Sequence, residues 1–489
     1  MLSFLWHLSI VASLKHAFDP TRVVTSSKDV SCVYGEAKAR TNSSNIKYLG
    51  SFSTWEGCKA AGLRDATGTA LSWFDPKFNH ADKDWSSGCY MRIDGHFPAT
   101  RKDLVTSGTI MLPGAACNSD EGCSYNGVCT ASGQCACDDA WEGKHCSKLA
   151  LVPGERISGY RQINRPGMSN TSSWGGGSWW EPAEERWVML VTELAENCGM
   201  HTWTTNSQTV RATSANATGL YERTGVVFPI WSHEVALTRA PSGEWISFFS
   251  YNAHPGASRQ VCHACKDGST PKACKSMSST AVPDVFIENT DPTYMSWAAN
   301  GSAPWSHPVR VTNWPNVQMD TNMAAVVLAN GSLVGMWRDH HPGGHHSTPH
   351  LVTAEDWRDP TSYVFHDEDL LFGRMDDNPG AVEDMMLYVD ARGHFHALFH
   401  QMYDCETCTA HASSADGLSW QYTGTAADGT AHYSDGTQQT FSHVERPHMI
   451  FDKDGVTPVA LTNGVKIQGI SDDDLSFTLL RPLRRKSNK

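Results

Sequence analysis

From Ala381 to Gln401 the chain reads AVEDMMLYVDARGHFHALFHQ. An acidic pair, Glu383 and Asp384, precedes an apolar run from Met385 to Val389. A polar break over Asp390 to Gly393 follows, then a second alternating run to His400. Two strand-length apolar runs across such a break predict a β-hairpin, because Gly393 can take the positive φ that the turn needs. The pattern recurs. His233-Glu234 precedes VALTRAPSGEWISFF with its break at Pro241 to Gly243, and Asn322 precedes MAAVVLANGSLVGMW with its break at Asn330-Gly331. Glu445-Arg446-Pro447-His448 precedes MIFDKDGVTPVAL, breaking at Asp454-Gly455, and a weaker copy runs from Trp179 through EPAEERWVMLV. Five hairpins at intervals of roughly 60 residues mark radial repetition, and four strands per blade is the propeller solution to exposed sheet edges. The chain is therefore expected to be mainly β, with a five-bladed β-propeller over residues 155–483.

Outer strands repeat as well. RATSANATGLYERTGVV (211–227), LVTAEDWRDPTSYVF (351–365), HASSADGLSWQYTG (411–424) and GISDDDLSFTLL each place a small, polar strand beside a turn and an aromatic or apolar run. The last blade must close on the first, and Tyr160 to Ile163 is the candidate closing strand. Two insertions interrupt the rhythm, one carrying Cys262, Cys265 and Cys274 and the other Cys405 and Cys408.

With 489 residues the chain exceeds one compact core. The 40 glycines and 18 tryptophans suit a turn-rich β protein. A net charge of −13 excludes a nucleic-acid partner, which requires a basic footprint. The basic tail, residues 484–489, reads as a frayed end. No run approaches the ~18 apolar residues of a membrane span. Fifteen cysteines point to an oxidising compartment, hence a secreted, extracellular protein. Sequons at Asn42, Asn170, Asn216, Asn300 and Asn330 agree with glycosylation there. Residues 1–18 offer a short apolar leader without a basic start or a clean cleavage site, a weak signal segment.

Two modules precede the propeller. In residues 30–112, Cys32, KYLGSFSTWEGCKAAG, LSWFDP and WSSGCYMRIDG outline strand, short helix and return strand. This unit resembles PAN/apple- and WSC-type modules, which bind carbohydrate or protein partners. It departs from them at Gly62, where a second cysteine usually follows Cys58, so Cys32–Cys89 is the expected bridge and Cys58 lacks its usual partner. Residues 113–150 hold Cys117, Cys123, Cys129, Cys135, Cys137 and Cys146, which permit 15 pairings on arithmetic alone. The spacing, with C-A-C-DDAWE-G-KH-C at its end, resembles an epidermal-growth-factor-like (EGF-like) module. That resemblance implies Cys117–Cys129, Cys123–Cys135 and Cys137–Cys146. So short a unit depends on its bridges for stability. PGAA stands where calcium-binding members carry acidic residues, leaving a spacer or a surface for extracellular protein partners.

In a propeller the innermost strands start near the axis, so Gly175 to Gly177, His233-Glu234, Asn322, Glu383-Asp384 and Glu445-Arg446 are expected to converge on one mouth. Carboxylates and histidines meeting in a concavity suit glycosidic chemistry; the alternative is that they satisfy one another around a water-filled channel. VEDMMLYVDARGHFHALFH, HASSADGLSW and ERPHMIFDKDG resemble five-bladed propellers similar to glycoside hydrolase family 43. The resemblance implies inversion by three carboxylates: an Asp base opening blade one, a pKa-tuning Asp opening blade three and a Glu acid opening blade four. Glu383 falls at the acid position. The base position falls at Gly175 to Gly177 and the tuning position at Asn322, neither of which ionises, so either Glu234, Asp384 or Glu445 takes over as base or the site binds sugar without cleaving it.

The candidate catalytic residues are thus Glu383, Glu445 and Glu234. Glu383 is expected to face the mouth with a pKa raised by Glu234 and Glu445, while Asp384, by strand alternation, points elsewhere. The candidate substrate-binding residues are Asp384, His233, Asn322, Arg446, His448, His400 and Trp174. Arg446 and His448 suit a uronic acid or sulfate, and Trp174, Trp179, Trp180 and Trp231 offer stacking platforms for sugar rings, although packing between blades is the commoner role for any single one. Cys405-x-x-Cys408 and Cys262-x-x-Cys265 read as disulfides in a secreted chain. The histidines of DHHPGGHH (339–346) lie in a Gly/Pro loop that makes a poor metal cage, and neither a metal nor a cofactor is expected. The composite reading is a carbohydrate-active, hydrolase-like propeller acting on a polysaccharide; the alternative is a non-catalytic glycan- or protein-binding adhesion protein.

Overall fold

The computed structural model describes residues 46–50, 70–74, 88–92 and 105–109, and then residues 116–485 apart from 162–170, 197, 231, 252–292, 312–318, 340–348, 371–381, 403, 404, 406 and 468–474. The apolar leader, Cys32, Cys58, Asn42, Asn170, Trp231, the cysteines from 262 to 274 and the histidines from 340 to 346 lie outside the described residues. The first four segments form one antiparallel sheet in the order Ile46–Gly50, Gly88–Arg92, Ala70–Phe74, Val105–Thr109.

From residue 173 onward the described chain is a five-bladed β-propeller. The innermost strands are Ser173–Glu181, Ser232–Arg239, Met319–Val327, Val382–Val389 and Gln438–Phe451. Each packs against the next, and the fifth packs back on the first, so the ring closes. The first four blades then run outward through three further antiparallel strands; the fourth blade continues through Phe395–Gln401, Thr409–Ser414 and Gln421–Ala427. The turn glycines Gly243, Gly331, Gly393 and Gly455 all have positive φ, while in the first blade Glu185 takes that conformation instead. The fifth blade has Pro458–Ile467 and Ser476–Pro482 outside its inner strand. Its outer edge is taken by Tyr160, whose N–H and carbonyl exchange hydrogen bonds with Thr478 at 3.1 and 3.0 Å. Residues before blade one thus complete blade five, which removes an open edge.

Both faces of the inner hairpins are covered by neighbouring blades. Phe395–Gln401 is buried at every position, which explains runs such as MMLYV that do not alternate. Trp245, Trp337, Trp357, Phe248 and Phe399 are fully buried between blades, each worth about 1.5–3 kcal/mol of transfer free energy or more.

The six-cysteine module carries bridges Cys117–Cys129, Cys123–Cys135 and Cys137–Cys146. It is not held off as a spacer. Trp141 packs at a tilt against His411 with centroids 4.7 Å apart, Tyr125 stacks on His394 at 4.3 Å, and Arg392 donates to the Tyr125 carbonyl and to Asp138. Ala140 and Ala150 share backbone hydrogen bonds with Arg484. The docking joins the module to the fourth blade and to the end of the last strand.

Candidate functional site

The five inner strands begin at one end of the ring, and each begins with a bulge. Register with the second strand slips at Gly177/Trp174, His233/Ala236, Asp320/Ala324, Glu383/Met386 and Glu445/His448. Gly175, Glu234, Asp384 and Arg446 sit in these bulges with φ of 65°, 59°, 61° and 49°. A left-handed conformation costs a residue with a Cβ roughly 1–3 kcal/mol and persists where the surroundings hold it. A bulge also breaks alternation, so neighbouring side chains can face the same way.

This corrects the expectation for Asp384. It does not turn away from Glu383: both face the mouth end of the axis, with Asp384 the deeper and Glu383 partly exposed. Asn322 accepts the Asp384 N–H at 2.8 Å. Asp384 in turn accepts the Arg446 N–H at 3.0 Å and its Nη1 at 3.1 Å. The ring of bulges is therefore linked from blade three to four to five by side chains capping the next blade's backbone. Arg446 Nη1 also meets Glu234 Oε1 at 2.9 Å, and His233 Nε2 lies 3.3 Å from the same oxygen.

Arg446 also settles what occupies the blade-one position. A Cβ added at Gly175 would lie 2.7 Å from Arg446 Cβ and 3.1 Å from its Cδ. The arginine fills the space where the family resemblance implies a base. Being buried and bonded to two carboxylates, Arg446 is also not free to receive a substrate acid, contrary to expectation. His448 is buried below it, its Nδ1 3.3 Å from the Arg446 carbonyl. Trp174 is 4% exposed and packs against Gly464 between blades one and five, so it is core rather than platform. Trp179 stacks on Phe451 and Trp180 meets Trp187 edge-on, toward the opposite end of the first strand.

Glu383 is gripped by two cations: Arg338 Nη1 at 2.6 Å and His400 Nδ1 at 2.9 Å. Burial opposes its ionisation, but the His400 hydrogen bond and Arg338 outweigh it and hold the carboxyl below its usual range. The expected rise at Glu383 is therefore reversed, because cations from the neighbouring strands intervene. The rise falls on Glu445, which burial, against His400, and then Asp384 and Glu383 push up to about 8. Among the described residues the Glu445 carboxyl has neither hydrogen bond nor ion pair. Burial also pushes Asp384 up to about 7 despite Arg446, helped by Glu383 and Glu234. Glu234 is buried too, but Arg446 and His233 bring it down to about 2. His400 resists burial through its bond to Glu383 and the charges of Glu445, Glu383 and Asp384, rising to about 9.

Glu383, Asp384, His400 and Glu445 each offer one ligand atom within 4.8 Å of the others. The charge a cation would bring is already supplied there by two guanidinium groups and an imidazolium. Arg338 and Ser207 were not evident beforehand. Arg338 follows the apolar run Leu333–Trp337 within the strand Leu333–Asp339, and a cation directly after an apolar run was the available signal. Cys405–Cys408 is bridged near the mouth, and Cys198 is disulfide-bonded. Asn216, Asn300 and Asn330 lie exposed in turns.

No known protein family matches the chain, and no curated protein matches it. Solved structures of similar fold include a family 117 glycoside hydrolase from Zobellia galactanivorans, with 9% identity over 71% of this chain and 91% of that one at a TM-score of 0.44. An α-L-arabinofuranosidase from Podospora anserina shares 10% identity over 69% and 96%, with a TM-score of 0.41. An endo-arabinase from Bacteroides thetaiotaomicron shares 8% over 65% and 96%, with a TM-score of 0.39.

Proposed function

We propose that the protein is a secreted glycoside hydrolase whose reacting pair is Glu445 and Glu383, acting on a neutral sugar of a polysaccharide. One observation carries this reading: of two adjoining, partly exposed carboxyls, Glu383 is bonded to Arg338 and His400 whereas Glu445 has no partner among the described residues, so their surroundings drive their protonation apart. Glu445, raised to about 8 and without a partner, keeps its proton, whereas Glu383 is kept ionised by His400 and Arg338. Pairs of titratable groups whose surroundings drive them apart mark acid and base assignments.

Their oxygens lie within 4.8 Å. That is short of the ~6.5–9.5 Å that leaves room for an inverting water, so the reading is retention and departs from the inversion that the family resemblance implied. Glu445 gives its proton to the glycosidic oxygen as the C–O bond breaks, and a Glu383 oxygen bonds to the anomeric carbon. Glu445, now ionised, takes a proton from water, whose oxygen displaces Glu383 and restores both groups. Arg338 and His400 hold Glu383 in place. Because Arg446, Arg338 and His400 are already matched to carboxylates, a uronic acid or sulfate would find no unmatched cation among them, which favours a neutral sugar.

The test is hydrolysis of aryl glycosides and neutral polysaccharides, with NMR of the first-formed product. Retained anomeric configuration and a loss of ~10²–10⁴-fold in turnover for Glu445→Gln are expected. Inverted product, or unchanged turnover in that variant, would overturn the assignment. The filled blade-one position favours a second reading, a glycan-binding disc; it predicts binding with no hydrolysis by either form.

A further inference from the structure

Among the described residues, the large apolar side chains left exposed are Val128, Ile157, Val226, Val364, Val456 and a single aromatic, Trp203 at 40%. Its location is not random. It opens the one-turn helix Trp203–Asn206, in the connection between Arg186–Leu194 and Ser207–Ser214 of blade one. The inner strand Ser173–Glu181 leaves the mouth and Arg186–Leu194 returns to it, so this connection stands on the mouth rim.

The connection is fixed in place. The Ala195 N–H donates to the Asn206 carbonyl at 2.9 Å, and Asn206 Nδ2 donates to the Ala195 carbonyl at 3.1 Å. Thr202 Oγ1 donates to the Gly199 carbonyl, and Cys198 is disulfide-bonded. Ser207 Oγ donates to the Trp203 carbonyl at 2.6 Å and lies 2.7 Å from His233 Nδ1. With its one hydrogen spent on the carbonyl, the hydroxyl accepts from His233 Nδ1–H. The indole packs against that imidazole at a tilt, with ring centroids 4.9 Å apart and planes at 32°. His233 continues to Glu234, and Glu234 through Arg446 to Asp384 beside the reacting pair.

We infer that Trp203 is a sugar-stacking platform forming a subsite on the blade-one side of the mouth rim. This rests on the hydrolase reading and adds to it where the chain is bound. The indole leans on His233 and the residue keeps 40% of its surface open to solvent at the rim, which is the arrangement an aromatic anchor needs. A large flat apolar surface, ordered before binding, costs little conformational entropy to occupy. It suits the C–H face of a neutral pyranose or furanose ring, and the matched charges behind it offer nothing to an ionic group.

The test uses the full chain with Glu445→Gln, so that probes are not consumed. Neutral xylo-, arabino-, cello- and galacto-hexasaccharides are titrated calorimetrically, with ¹⁹F NMR of 5-fluorotryptophan-labelled protein. At least one hexasaccharide is expected to bind and to shift the resonance that Trp203→Phe removes. Trp203→Ala should weaken that binding about tenfold or more, as loss of a tryptophan anchor does, and Trp203→Phe should restore part of it. In the otherwise wild-type enzyme, Trp203→Ala should raise KM for the hexasaccharide by a larger factor than KM for an aryl monoglycoside. If the hexasaccharide binds Trp203→Ala as tightly as the parent while hydrolysis persists, the subsite is refuted and the hydrolase reading stands. If no neutral hexasaccharide binds the parent and the wild type hydrolyses none of them, both fail.

Discussion

Two histidines four residues apart on one strand, His396 and His400, are almost equally buried, at 1% and 4% exposure. They are driven in opposite directions. At the mouth, His400 is surrounded by Glu383, Glu445 and Asp384 and rises to about 9. At the far end, where the six-cysteine module docks, His396 lies 3.0 Å from His411, which packs against Trp141, and Tyr388 covers the His396 face. Burial lowers both His396 and His411 there, and Asp390, 3.6 Å from His396 Nε2 and shared with Arg392 and His394, does not reverse it. The same residue type on the same strand is a cation at the site and neutral at the interface. Burial sets the penalty; the number of uncompensated carboxylates decides whether it is overcome.

The most damaging way to break the contrast is Arg446→Met. It strands Glu234 and Asp384 without their shared cation and should cost about 3–5 kcal/mol of stability, measured by denaturant unfolding. A loss under 1 kcal/mol would mean that the mouth network tolerates unpaired charge. Next comes Glu383→Gln, expected to lower turnover at least ~10²-fold and to bring the His400 pKa down from about 9, followed by NMR. A His400 that still titrates near 9 would show that Glu445 and Asp384 suffice without Glu383.

Acidity should separate the two ends. His400, raised when folded, contributes stability that is complete below about 6.5 and is lost as pH climbs through about 9. Glu445, also raised, adds loss in the same direction, because ionising it is easier in the unfolded chain. His396 and His411 are lowered when folded, so the unfolded chain takes up their protons more readily and stability falls as pH drops below about 6.5. Hydrogen exchange, corrected for intrinsic rates, should therefore show residues 116–150 losing protection at pH 5 and the mouth ends of the inner strands losing it above pH 9. Uniform change along the chain would sink the comparison. The smallest effect is expected from Arg392→Ala, whose partly exposed link to Asp138 should be worth no more than ~1 kcal/mol.

The hairpins, their turn glycines and the count of five blades were legible in the sequence because each is local: apolar runs of strand length and residues suited to positive φ. The closing role of Tyr160 could be anticipated because a ring needs it. Chain order does not say that a bulge aims Asp384 inward beside Glu383, nor that Arg446 fills the space at Gly175. Arg338 and His400 reach Glu383 from second strands, 45 and 17 residues away, and reverse the protonation expected of it in favour of Glu445. A sequence shows which groups can ionise. Which of them do is decided by distances across blades and by burial, and both exist only once the ring is closed.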